Sequence, residues 1–129
     1  MRQSITSASR YEPLFGFCRA IRTGNTIAIA GTAPIGDDGK TVGIGDPAAQ
    51  ARRCFGIILH ALDELGGSPY DLVRTRMFLT RISDWETIGK VHGEYFGEIR
   101  PVSTMVEVSA LIDPAWFIEV EADAIVGSA

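Results

Sequence analysis

Between Asp46 and Gly67 the apolar residues recur at every third or fourth position: Ala51, Cys54, Phe55, Ile58, Leu59, Leu62 and Leu65. That spacing lays them along one face of an α-helix. Asp46 followed by Pro47 supplies the start, since aspartate caps free backbone N–H groups and proline suits the first helical position. Gly66-Gly67 supplies the stop, because glycine accepts the left-handed conformation that follows a last turn. A helix with one apolar stripe needs an apolar surface to lie on. The rest of the chain provides it at a period of two. Phe17 to Ile21 and Thr26 to Ala30 read as strands joined by the turn Arg22-Thr23-Gly24-Asn25. Val73 to Leu79, Thr104 to Val108 and Phe117 to Ile125 read as three more. A second helix is expected from a cap at Ser83 or Asp84 to about Phe96. Its stripe is Trp85, Ile88, Val91 or His92, Tyr95 and Phe96, with Trp85 as the docking anchor. The glycine-rich stretch from Thr32 to Pro47 keeps no period and reads as loop, with at most a short strand near Thr41-Val42. The order is α+β: two helices packed on one side of a single sheet.

Strand alternation separates the two faces of that sheet. Val73, Thr75, Met77 and Leu79 share one face, and Arg74, Arg76 and Phe78 the other. In the last strand Ile118, Val120, Ala122 and Ala124 oppose Glu119, Glu121 and Asp123. The helix-free face thus gathers arginines, carboxylates and the rings of Phe78 and Phe117. A fully solvated face seldom collects rings and opposed charges together, and no segment is left to cover it. Another copy of the chain is the expected cover.

At 129 residues one domain spanning 1–129 is expected. The net charge of −4 argues against nucleic acid or an anionic membrane surface as the main partner. Cys18 and Cys54 match no disulfide framework or zinc spacing, so buried thiols and no bound metal are expected, with His60 on a polar helix edge. No apolar run is long enough to span a bilayer, the first residues lack a secretory pattern, and the default compartment is the cytoplasm. The glycine-rich loop has no phosphate-binding ending, and no cofactor is implied.

The C-terminal third carries a more specific pattern. Arg100-Pro101-Val102-Ser103-Thr104-Met105-Val106-Glu107-Val108, Leu111-Ile112-Asp113-Pro114 and Ile118-Glu119-Val120-Glu121-Ala122 resemble the closing signature of the Rid family, the YjgF/UK114 proteins. Gly24-Asn25, Ala30-Gly31-Thr32, Gln50-Ala51 and Asp71-Leu72-Val73 extend the resemblance over nearly the whole chain. It implies a chorismate-mutase-like fold, a homotrimer whose sheets enclose a central barrel, and small-molecule clefts between subunits. The activity it implies is hydrolysis of enamine and imine intermediates to a ketoacid and ammonia.

Carried over by position, the family's water-positioning glutamate falls on Glu121 and its ligand-contacting glycine on Gly31. The substrate-carboxylate arginine is replaced by Ser103, an aromatic position is Phe17 without a hydroxyl, and a common cysteine is Met105. A serine hydroxyl cannot replace the bidentate, charged fork of an arginine. Arg19, on the same strand face as Phe17, is the first substitute expected for anion contact. Arg76 is the second, although it also suits pairing with Glu119, Glu121 or Asp123. His92 is a further candidate, as a cleft residue that shuttles protons, against the plainer reading of a packed core histidine. The rival to an enzyme is a trimer that binds a metabolite or a partner without turnover. Nuclease activity, a name sometimes attached to this family, is disfavoured by the acidic balance.

Overall fold

The computed structural model describes residues 2–128. Six strands form one sheet in the order β1-β2-β3-β6-β4-β5. They are β1 (Arg2–Ile5), β2 (Ala20–Thr23), β3 (Thr26–Thr32), β4 (Leu72–Leu79), β5 (Val102–Glu107) and β6 (Ile118–Ile125). Neighbours run antiparallel except β4 and β5, which are parallel and joined through a helix, as a parallel pair requires. The helices are α1 (Tyr11–Phe15), α2 (Pro47–Glu64) and α3 (Trp85–Phe96). The two long ones pack on one face of the sheet, as the periodicity predicts.

Helix α2 starts and stops where the sequence says it should. The Asp46 side chain accepts a hydrogen bond from the Ala49 N–H at 3.1 Å, and Gly66 takes a φ of +80° beyond the last turn. Its buried face comprises Gln50, Ala51, Cys54, Phe55, Ile58, Ala61 and Leu62. Gln50 is the polar exception and is fully satisfied. Its amide N–H groups donate to Gly43 O (3.1 Å) and Ala115 O (2.8 Å), and its carbonyl accepts from Phe117 N (2.7 Å). One side chain therefore ties the glycine-rich loop and the entry to β6 onto the helix. Asp71 does the same at the other end, capping Ser68 N at 2.8 Å and holding Gly127 N at 3.0 Å.

Several expectations shift. The first predicted strand starts later than Phe17, because Gly16, at φ +77°, ends the short α1 and the chain becomes extended and paired only at Ala20. Strand β1 was not expected: its Arg-Gln-Ser-Ile has no alternation to read, and it is held by backbone pairing with β2. Val73 leaves the helix-side face, since a one-residue bulge between Leu72 and Arg74 puts Leu72 into the core instead. Trp85 does not dock: it is 57% exposed at the first turn of α3, where the buried positions are Ile88, Val91 and Phe96. The Thr41 strand reduces to a single bridge with Ile35. Cys54 is buried and Cys18 only partly so.

The alternation along β4 and β6 otherwise holds. On the helix-free face Arg76 lies 3.2 Å from Glu121 and 3.3 Å from Asp123, with Arg74 at 3.7 Å from Asp123. The Arg81 guanidinium stacks 4.1 Å from the centre of the Phe117 ring. On the other face Phe55 is wholly buried and meets the rings of His92, Tyr95 and Phe96 at 5.2–5.6 Å. Removing a buried phenylalanine costs about 3–5 kcal/mol, so Phe55→Ala should lower the unfolding free energy by about that much in a urea titration.

Candidate active site

The residue that organises the site is Arg19, just before β2. Its side chain is only 5% exposed and its guanidinium lies 3.2 Å from the Glu12 carboxylate, itself 1% exposed. Every arm of the fork is used. Nη2 and Nε donate to Glu12, Nε also reaches Ser7 Oγ, and Nη1 donates to Thr32 Oγ1 at 3.1 Å and to the Gly31 carbonyl. Glu12 in turn accepts from the Ser7 N–H at 3.0 Å and from the Ser7 hydroxyl. Burying a single charge this deeply would cost several kcal/mol; pairing and hydrogen bonding offset most of that cost.

Gly31 offers its carbonyl to Arg19 because β3 is irregular there. The β3–β6 pairing slips by one residue between Ile29 and Thr32, so Ala30 and Gly31 sit on a bulge and fall out of the ladder. The same position sits directly against the end of a β6 side chain. A Cβ on Gly31 would lie 2.5 Å from Glu119 Oε2.

Around this corner is a cavity of about 500 Å³. Its polar lining includes Arg19, Gly31 and Glu119, and its apolar walls include Tyr11, Phe17, Ile57 and Trp116. The Glu119 side chain, on β6, makes no hydrogen bond or ion pair with any of the described residues; Arg19 and Glu121 act on it only through their charges. Loss of solvation pushes its carboxyl above the ordinary glutamate range. Arg19 partly opposes that rise and the neighbouring Glu121 adds to it.

The predicted residues divide among three places. Phe17, Arg19 and Gly31 meet in the cavity. Glu121 does not line it; two residues along β6, it turns to Arg76 on the open sheet face. Arg19 is at the cavity, but with its charge already matched by Glu12. Ser103 and Met105 lie apart, on the helix side of the edge strand β5. Met105 packs against the main core, and Ser103 Oγ accepts from Thr75 Oγ1 at 2.8 Å. Thr75 Oγ1 is also 2.8 Å from His92 Nε2. His92, Thr75 and Ser103 thus form a chain of three side chains that runs to the surface of β5, and His92 does not line the cavity. The missed residue is Glu119. Alternation places it on the same face as Glu121, and only the phase of the bulge in the facing strand distinguishes them.

At this point the comparisons decide the family. The description Endoribonuclease L-PSP matches residues 7–126. The chain belongs to the YjgF/YER057c/UK114, or Rid, family. It is 44% identical to Rv2704 of Mycobacterium tuberculosis, a member of that family whose crystal structure superposes with a TM-score of 0.88 over 98% of this chain and 100% of the other. The YjgF gene product of E. coli aligns at 25% identity and a TM-score of 0.83, over 95% and 98% of the two chains. Among curated relatives, the 3-aminoacrylate deaminase RutC of Acinetobacter baylyi is 34% identical over 108 residues, 84% of this chain and 85% of that one. No helix among the described residues is long and apolar enough to cross a membrane, and none of their His, Cys, Asp and Glu side chains cluster as a metal site.

His92 carries a stability signature. Burial holds its imidazole below the ordinary value of 6.5, so below that pH the unfolded chain binds the proton more readily than the folded one. Its contribution to stability is complete above pH 6.5 and is lost as the pH falls from there toward the folded value. Denaturant titrations across this window should show the decline in the native chain and a flatter profile in His92→Gln.

Proposed function

We propose that this protein is a Rid-type hydrolase of imines, with enamines entering as their imine tautomers, and that Glu119 is its catalytic carboxylate. The observation that carries this reading is a carboxylate without a cationic partner of its own, held against a bulged glycine in a mostly apolar cavity. Such a group can accept a hydrogen bond from a water molecule and draw off its proton. The water oxygen then bonds to the imine carbon, and the proton passes through Glu119 to the nitrogen. The resulting carbinolamine collapses as its C–N bond breaks, leaving a carbonyl compound and ammonia. A carboxyl held above the usual range is a stronger base toward water than an ordinary glutamate and keeps the proton it gains for the return step. The similarity to a relative named as an aminoacrylate deaminase supports the reaction class.

In this scheme Arg19 holds Gly31 and the bulge in place, Phe17 forms an apolar wall, and Glu121 tunes Glu119 through its charge. The open sheet face, with its arginines and carboxylates, suits closure by two further copies around a common axis. Ser103, exposed on edge strand β5, is then available to a neighbouring copy's cleft, while Met105 stays packed against its own core. Light scattering should return roughly three times the chain mass.

The reaction is tested by generating imines in situ and following ammonia. Glu119→Gln should reduce release by ~100-fold or more, in line with the usual contribution of a general base, while Glu121→Gln should retain turnover. Activity should fall as the pH drops through the Glu119 value, and Glu121→Gln should move that acid limb to lower pH, because it removes a neighbouring negative charge. Equal losses in both variants would remove Glu119 from its role. Ligand-induced stabilisation with no turnover of any imine would favour a binding protein instead.

A further inference from the structure

The cavity's charges also say what kind of molecule it takes. Three charged side chains line it: Arg19, Arg53 and Glu119. Arg19 is neutralised by Glu12 through a buried pair. Arg53 has its Nε fixed on Ile35 O at 2.7 Å and its Nη2 on Asp37 at 3.2 Å. Glu119 alone has no ion-paired or hydrogen-bonded partner among the described residues, so it carries the one unpaired charge of the lining. The cavity walls add aromatic rings, whose quadrupoles attract cations. Tyr11, Phe15, Phe17 and Trp116 all contribute, with Tyr11 edge-on to Trp116 at 6.2 Å between ring centres. Phe17 already lies 5.8 Å from one guanidinium, that of Arg19. A carboxylate lacking a cation, set in a cavity lined by aromatic rings, is the environment that favours an ammonium or iminium group over a carboxylate.

We infer that the cavity selects a cationic, aromatic or aliphatic imine or amine that carries no carboxylate, with the nitrogen at Glu119 and the apolar body against the rings. This rests on the reading of the cavity as the reaction site and narrows it. The protonated imine is also the more electrophilic form, so the charge that recognises the substrate favours the form that water attacks. Water adds to the iminium carbon, the C–N bond breaks, and the products are a carbonyl compound and ammonium. The alternative that the geometry must beat is an anion displacing Asp37, which is fully exposed, from Arg53.

Three isosteric probes separate these outcomes: benzylammonium, benzyl alcohol and benzoate, titrated calorimetrically into the whole protein near pH 7.5. Benzylammonium should bind at least tenfold more tightly than benzoate. Glu119→Gln should erase the difference while leaving benzyl alcohol within about twofold, as expected when one charge pair is removed. Gly31→Ala, which displaces the same carboxylate by its added Cβ, provides a second route to the loss should Glu119→Gln fold poorly. Benzoate binding best and weakening in Arg53→Ala overturns the inference, as does binding of none of the three. Failure of the hydrolase reading looks different: a preserved preference for benzylammonium with no ammonia released from any imine. Turnover confined to 2-imino carboxylates, with benzylammonium rejected, would retain the reaction and refute the selectivity.

Discussion

The buried pair between Glu12 and Arg19 is the contact on which the rest of the site depends. It reaches in three directions at once: to the N-terminal segment through Ser7, to the start of β2 through the backbone of Arg19, and to the bulge of β3 through Gly31 and Thr32. A network of this kind fixes geometry strongly, and all three nitrogens of this guanidinium donate into it. The short helix α1 has five residues, too few to be stable alone. It is positioned because Glu12 belongs to it, and its position sets Tyr11 and Phe15 along the cavity wall.

Much of the architecture is legible in the chain because it follows from period. The α2 stripe, its aspartate cap and its glycine stop leave little freedom, and the alternation of β4 and β6 sorts residues to opposite sides of the sheet. What does not follow from period was missed for definite reasons. β1 is an edge strand whose residues are mostly exposed, so its order comes from backbone hydrogen bonds and leaves no hydrophobic imprint. Trp85 obeys the helical spacing, yet it falls in the first turn, beyond the reach of the core. Val73 obeys alternation until a bulge changes the phase.

The site is legible in the same uneven way. Phe17, Arg19 and Gly31 can be read from the strand pattern and the family signature, and they share the cavity. Choosing between Glu119 and Glu121 cannot be done by alternation, because they point to the same side two residues apart. Their environments differ instead: one faces a bound arginine across β4, the other an apolar hollow. That difference turns one into an ion-pair partner and leaves the other without a cation of its own among the described residues. Similarly, Arg19 has the charge for an anion site, but only the three-dimensional arrangement reveals that Glu12 has already taken it.

The bulge in β3 has one more consequence. Pairing on one side of it runs Ile29 with Ala122, and on the other Thr32 with Val120. Trimming one residue from the intervening pair would let the two strands zip without interruption. It would also draw the Gly31 carbonyl into the ladder, away from Arg19, and rotate everything downstream relative to Glu119. The more regular protein would lack its hollow. At this point in the chain, the number of residues is as much a part of the chemistry as their identity.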